Sequence, residues 1–501
     1  MYEAHLQLEA VTPIFMRGAD QAKAEIRAAS IKGLMRWWFR ALAGSYFGND
    51  IVGLRKAEEY VFGSTEQRSR VVVEVEAPEP CKFEIKGTIE ERLNRRKNEY
   101  SLRPKIEILM KDCNGGQKEP NFPIPNYLFF SIKMFVEDIA KTTLDEVLNK
   151  FGIRNRFKDR ERIKRVFRSR GLNYPNDLNK LFFGKLCENA PSYHSPKSKF
   201  KLRVKGYDQT SFKLSIATLW LMSNFGGMGF RSRRGAGSVI VSKVDKVKPT
   251  NLQNEVENLF RYDWRNLDDA SKFWHDCAKK LYETFRSQTT DEKSAKSPYS
   301  TIANMIILEY GDSYCNCFEA LRKVEEIYAG ELKRSESCSG KFRPRYENGI
   351  RFVFADRDDP NCEDFSHVVV KDLGDLEKTS ERRFYFGLPM IYANWNSRIE
   401  GYNPTNPNTS YSRRTSAILM TVKKRGERFV PLVIILLGQF LPDHDGRFIL
   451  IKDNSKKIIQ IIDNGKPFDN DCFVSWLKNE VVREFKKRGF NVVYPKKGVF
   501  M

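Results

Sequence analysis

The first residues of the chain alternate, with Ala4, Leu6, Leu8 and Ala10 set against His5, Gln7 and Glu9. A period of two sends each set to its own face, so residues 3 to 12 read as a half-buried first strand. The period then changes. Between 30 and 43, Ile31, Leu34, Met35, Trp38 and Leu42 form one apolar stripe of a helix, with Ser30 placed as N-cap and Gly44 as terminator. Extended stretches follow at Val71 to Val75, Lys105 to Met110 and Tyr127 to Met134. Residues 211 to 223 are apolar on nearly every side, through Phe212, Leu214, Ile216, Leu219, Trp220 and Leu221, and predict a buried helix. A glycine-rich loop leads from there into a strand at Ser238 to Val244. Strand, helix, strands, helix, strand is the order of an α+β, ferredoxin-like sandwich.

After residue 248 the pattern restarts. Helices are expected near Leu267 to Phe285, Phe318 to Ala329 and Cys472 to Phe485, with strands near Ile350 to Phe354, Thr415 to Lys423 and Phe429 to Leu437. The polar stretch Ser287 to Ser300 reads as a loop. Two modules are therefore expected, 1 to 248 with a basic insertion and 249 to 501 with a helical one. A chain of 501 residues has room for both.

Charge narrows the partners. Lys and Arg number 86 against 64 Asp and Glu, a formal net charge of +22, and such a field gathers polyanions. A spanning helix needs about 18 to 20 apolar residues, and the longest run, Phe429 to Leu441, is shorter and contains Pro431. No signal peptide is visible at the N-terminus. Nine cysteines without paired spacing fit reduced thiols. A soluble, cytoplasmic, nucleic-acid-binding protein is the expectation, with no membrane partner.

Three stretches carry candidate chemistry. In the first helix Lys32, Arg36 and Arg40 recur every four residues, with Trp37 and Gly33 beside them. Aligned cations reach phosphates and an indole can stack on a base. A solvated basic face is the alternative. The run Asn224 to Gly237 packs five glycines and three arginines into fourteen positions. Exposed backbone N–H groups, the forks of Arg231, Arg233 and Arg234, and the rings of Phe225 and Phe230 suit a nucleic-acid strand. It lies between a helix and a strand and lacks Gly-Lys-Ser/Thr, so it is neither a dinucleotide nor a Walker loop. A plain tight turn is its alternative. Its arginines are expected to face solvent, and their loss to leave stability nearly untouched. Residues 152 to 170 hold nine cations and two acids, which fits a strand-contacting amphipathic helix and equally a solvated charged one.

Val11 to Ala19, Ser30 to Leu42 and Gly227 to Ser238, with Phe384 to Pro389 and Arg413 to Ala417, together resemble the RAMP superfamily. More narrowly they resemble its first-numbered Cmr subunits, from type III-B CRISPR effector complexes. The resemblance implies tandem ferredoxin-like modules in a ribonucleoprotein that binds invader RNA through a guide RNA, among other Cmr subunits. It implies a binding role near the guide's 3′ portion, with cleavage assigned elsewhere, and adds Arg17 to the RNA-contacting residues. Its RNA-facing surface includes the basic helix and the glycine-rich loop, which are expected to approach one another.

Catalysis finds little support in the residues. Five histidines, His5, His194, His275, His367 and His444, are scattered along the chain. His5 is the nearest candidate for a metal-free ribonuclease, the alternative function. The pairs His275-Asp276 and His444-Asp445 lack further ligands at metal-site spacing. Cys315, Cys317, Cys338 and Cys362 lack the two-residue spacer of zinc sites. Neither a metal nor a cofactor is expected.

Overall fold

The computed structural model describes residues 1–94, 99–110, 122–125, 128–155, 157, 159–287, 300–336, 342–350, 378–379, 390–392, 397–406, 409–411, 416–439, 441, 445–452, 455–463 and 466–495. The expected strand at 350 to 354, the stretch 384 to 389, His367 and His444 lie mostly or wholly outside them, as does most of the 287 to 300 loop.

The first module runs β1 (Tyr2–Ala10), α1 (Ala28–Phe47), α2 (Ile51–Phe62) and β2 (Val71–Glu76). An insertion follows, with the hairpin β3 (Glu84–Asn94) and β4 (Glu99–Met110) and the helices α3 (Phe130–Lys150), α4 (Arg160–Arg168) and α5 (Asn176–Asn189). The module closes with β5 (Lys199–Gly206), α6 (Gln209–Phe225) and β6 (Val239–Lys248). Its antiparallel sheet has the order β2-β5-β1-β6. Then come α7 (Gln253–Arg261) and α8 (His275–Phe285).

The second module repeats the plan with β7 (Met305–Tyr310), α9 (Cys317–Ala329) and the hairpin β8 (Gly330–Glu336) and β9 (Phe342–Asn348). It continues with β10 (Ile418–Arg425) and β11 (Arg428–Leu436). The helices α10 (Asn470–Trp476) and α11 (Val482–Lys487), joined by a π turn, lead to β12 (Phe490–Tyr494). The order β10-β11-β7-β12 is that of the first sheet, strand for strand. Both sheets therefore carry the ferredoxin-like connection expected from the periodicity. A further seven-stranded sheet is inserted between α9 and α10.

The two sheets differ in what covers them. The first buries Ala4, Leu6, Leu8, Leu202 and Val204 under α1 and α6 and leaves its other face open. The second is covered on both faces. Val433 and Ile435 of β11 enter the core that holds α9 and α10, whereas Leu432 and Ile434 enter the core of α1 and α6. That is why 429 to 437 is a continuous apolar run, as in any strand buried on two sides. It is also why α6 has no polar face: it lies between the two sheets. Val256, Trp264 and Leu281 extend this shared core into the α7–α8 region.

Three local expectations fail for identifiable reasons. Helix α1 runs from Ala28 to Phe47 with Gly48 as its C-cap, so Ser30 lies inside it, and the N-cap position falls on Arg27, which makes no side-chain cap. Gly44 lies inside it, where a Cβ would come within 3.1 Å of the Thr301 methyl, so its glycine serves close packing and not termination. Tyr127 to Met134 does not continue as a strand. Leu128, Ile132, Val136, Ala140 and Leu144 are all buried at four-residue steps, and this helical stripe sets α3. Finally, Cys81 is disulfide-bonded, against the expectation of reduced thiols, while Cys187, Cys277 and Cys315 are free thiols.

Candidate nucleic-acid interface

The glycine-rich loop is built into the opening segment of the chain. Phe230 donates its backbone N–H to the Phe15 carbonyl at 2.8 Å, Gly237 donates to the Pro13 carbonyl at 2.8 Å, and the Thr12 hydroxyl donates to the Gly235 carbonyl at 2.7 Å. At Gly226 a Cβ would sit 2.8 Å from Nε1 of Trp38 on α1. Gly237 has φ +68 and faces the Met228 carbonyl so closely that a Cβ would lie 1.8 Å from its oxygen. Both positions require glycine. The 11–17 stretch and the loop are thus one unit, which accounts for two of the sequence's motifs together.

The same loop touches the second module. Arg233 accepts the Met420 N–H on its carbonyl at 3.2 Å and donates from Nη1 to the Ser416 carbonyl at 2.7 Å. Its guanidinium lies 5.0 Å from the ring centre of Trp37, so the loop does approach the first helix, as expected. Arg234 covers the buried Tyr328 ring of α9 at 4.4 Å. Arg231, at φ +62, donates to the Ser131 hydroxyl on α3. Arg17 lies over Phe135 of the same helix at 4.6 Å. Phe230 projects from the loop with 52% of its surface exposed.

Two predicted contacts change character. Phe225 is fully buried between Trp38 and Trp220 and has no face for a base, because it belongs to the last turn of α6 and not to the loop. The row on α1 is engaged by the protein itself. Lys32 Nζ donates to the Ser69 hydroxyl at 2.7 Å and the Val71 carbonyl at 2.9 Å. Arg36 and Arg40 converge on the buried carboxylate of Glu58 at 2.8 and 3.0 Å. These two arginines line a cleft of about 800 Å³ together with Ile51, Arg55, Phe62 and Arg68, and neither Trp37 nor a residue of the glycine-rich loop is among its lining. The sequence missed Glu58, Ser131, Phe135 and Tyr328, since each comes from an element whose placement no local pattern discloses.

The open face of the first sheet offers another kind of surface. Lys201, Arg203 and Lys205 alternate outward along β5, and Glu74 binds Arg203 at 3.0 Å and Lys205 at 2.6 Å. His5 pairs with Glu3 there at 2.6 Å. The outward positions of β1 and β5, Glu3, His5, Gln7, Glu9, Lys199, Lys201, Arg203 and Lys205, include no Phe, Tyr or Trp, and their one ring, the His5 imidazole, is paired with Glu3. In α4, Ile163 and Phe167 are buried while Arg162, Arg165 and Arg168 are exposed, Arg165 pairing with Asp159 at 2.7 Å.

Among the described residues no group of three His, Cys, Asp or Glu side chains is placed to hold a metal ion. His275 Nδ1 is 3.1 Å from the Tyr46 hydroxyl. Burial holds the His194 imidazole down at about 4, so it is neutral at pH 7. No helix among the described residues is long and apolar enough to cross a membrane.

The RAMP superfamily model matches residues 7–240. The chain is 38% identical over 245 residues to the CRISPR system Cmr subunit Cmr1-2 of Pyrococcus furiosus, spanning 48% of this chain and 96% of that one. It is 26% identical over 337 residues to Cmr1-1 of the same organism, spanning 67% and 73%. The apo crystal structure of Cmr1 from Pyrococcus furiosus aligns over 98% of this chain and 99% of that chain, at 18% identity and a TM-score of 0.44. A cryo-EM structure of the Type III-B Cmr-beta bound to cognate target RNA aligns over 87% and 94%, at 15% identity and a TM-score of 0.40. With that identity maintained over nearly the whole of Cmr1-2, the chain belongs to the Cmr1 family of Cmr subunits, within the RAMP superfamily.

Proposed function

We propose that the chain is a non-catalytic, RNA-binding subunit of a type III-B CRISPR (Cmr) ribonucleoprotein, working in the cytoplasm beside other Cmr subunits. It grips single-stranded guide or target RNA along the glycine-rich loop. In this reading 1–248 supplies the loop and 249–501 braces it. The observation that carries the proposal is Phe230. A large aromatic ring projects half-exposed from a loop whose backbone is fixed at both ends, with Arg231, Arg233 and Arg234 next to it and Arg17 on the adjoining stretch. A rigid ring beside guanidinium groups suits a strand, the ring stacking on a base and the cations neutralising phosphates with little base preference. His5 shares the Glu3 carboxylate with Arg203, at 2.6 and 3.5 Å, and an ion-pair cluster on the open sheet face accounts for its position without an acid–base role.

The test is to express the tagged chain with its neighbouring Cmr subunits and identify what co-purifies. We expect the other subunits and short guide RNA, with labelled single-stranded RNA bound and left intact with or without chelator. Cleavage that is lost on His5→Ala, or a complex that assembles with RNA untouched by this chain in cross-linking, would contradict the proposal.

A further inference from the structure

The cleft lined by α1, α2 and the turn after α2 carries more positive charge on its walls than its carboxylates neutralise. Arg36 and Arg40 come from α1, Arg55, Glu58 and Glu59 from α2, and Arg68 from the turn, so four cations face two acids. Nε of Arg36 and Nη1 of Arg40 lie 2.8 and 3.0 Å from one oxygen, Oε1 of Glu58, which brings the two guanidinium groups together from successive turns of α1. Among the described residues no acceptor outside Glu58 holds either group, so Nη1 and Nη2 of Arg36 and Nε and Nη2 of Arg40 keep their donors. Both side chains stay partly open to solvent. Arg55, paired with Glu59 at 2.9 Å, is 80% exposed, and Arg68 donates to the Tyr207 hydroxyl at 3.2 Å. The lining also includes the exposed side chains of Ile51 and Gln67.

A buried carboxylate that binds two arginines fixes their forks before a ligand arrives, and pre-organised groups bind at lower cost. Guanidinium forks take the oxygens of a phosphate group. The surplus of two cations matches a phosphate monoester, which carries about 1.5 to 2 negative charges at pH 7. A cleft of about 800 Å³ has room for more than that phosphate. A base suits the remainder, because an exposed isoleucine and a guanidinium plane can cover its faces while the Gln67 amide offers a donor and an acceptor to its edge. We propose that this cleft binds one nucleotide, its phosphate on Arg36 and Arg40 and its base beside Ile51 and Gln67. No residue of the glycine-rich loop lines the cleft, so this site goes beyond the strand-gripping loop and does not depend on it. A free mononucleotide and the phosphorylated end of an RNA strand present the same chemistry, and the experiment separates them.

Calorimetric titration of the full-length protein with adenosine 5′-monophosphate, adenosine and inorganic phosphate, at matched ionic strength, would be combined with amide hydrogen exchange over 51–69. A single-stranded RNA with a 5′-phosphate and the same RNA with a 5′-hydroxyl form the strand arm. We expect a phosphorylated ligand, mononucleotide or RNA end, to slow exchange over 51–69 and to bind about tenfold or more tightly than inorganic phosphate or adenosine, each of which makes only part of the contacts. Arg40→Gln leaves Arg36 on Glu58 and weakens that ligand about tenfold, the size of one charge-assisted contact. Arg68→Gln, an exposed position that does not touch Glu58, weakens it as well and carries the test if Arg40→Gln melts early. Protection by the mononucleotide makes a free nucleotide an occupant, and protection by the phosphorylated RNA beyond its 5′-hydroxyl counterpart makes a strand end one. No response of 51–69 to the mononucleotide together with no difference between the two RNAs overturns the site. So does inorganic phosphate binding as tightly as the phosphorylated ligand, or wild-type affinity in the folded variant.

Discussion

Lys423 on β10 places its ammonium 2.9 Å from the carbonyl oxygen of Gly226, with the Ser223 carbonyl also within reach at 2.7 Å. A strand of the second module thus caps the helix from which the glycine-rich loop departs. The side chain is buried, and desolvation brings the ammonium down to about 7. In the unfolded chain it titrates near 10.4. Between these values the unfolded state holds a proton that the folded state lacks, so this group makes stability rise as pH is raised from about 7 toward 10. Lys423→Met leaves two carbonyls without a donor, at a cost of about 2 kcal/mol at pH 9. We expect the gap between wild type and variant in chemical unfolding to narrow at pH 6, where the wild type carries a buried charge. A gap independent of pH would mean that the ammonium is solvated.

Phe230 and Trp37 separate binding from folding. Phe230→Ala removes an exposed ring, so we expect no change in melting temperature and RNA binding weaker by about 1–3 kcal/mol, the range for one stacked base. Trp37 is half-buried against Trp38 and Arg233, so Trp37→Ala should lower both affinity and stability. Equal losses of stability in the two variants, by thermal melt, would show that Phe230 is packed in solution.

Arg36 and Arg40 read from the sequence as phosphate contacts or a solvated basic face, but their shared partner Glu58 is 7% exposed. Replacing both with Ala leaves a buried carboxylate unpaired. Because the arginines themselves are 34% and 47% exposed, the cost is held to about 1–3 kcal/mol. Adding Glu58→Gln should recover most of it. If the double variant keeps wild-type stability in urea unfolding, water must reach Glu58 freely.

How much of this was legible follows from particular residues. Periodicity located β1, α6 and β11, because burial on one face, all sides or both faces leaves a pattern of its own in the sequence. The glycines of the loop were legible as a signal since only glycine fits where a Cβ would strike Trp38 or the Met228 carbonyl. The direction of the arginines was not. Arg231, Arg233 and Arg234 read as solvent-facing, yet they reach Ser131, the Ser416 carbonyl and the Tyr328 ring, partners 94 to 183 positions away along the chain. Replacing all three with Ala should therefore cost stability as well as RNA affinity, about 2–4 kcal/mol in equilibrium unfolding. A fully stable triple variant would return them to solvent.

Binding of single-stranded RNA to the purified chain, titrated across salt concentration for wild type, Phe230→Ala and Arg17→Gln, tests the central claim most directly. We expect tight binding whose logarithm falls linearly with the logarithm of salt. The slope should stay unchanged in Phe230→Ala, which loses stacking, and drop by about one unit in Arg17→Gln, which loses one phosphate contact. No measurable binding, or binding indifferent to salt and to both substitutions, would contradict a strand held by the loop between the two modules.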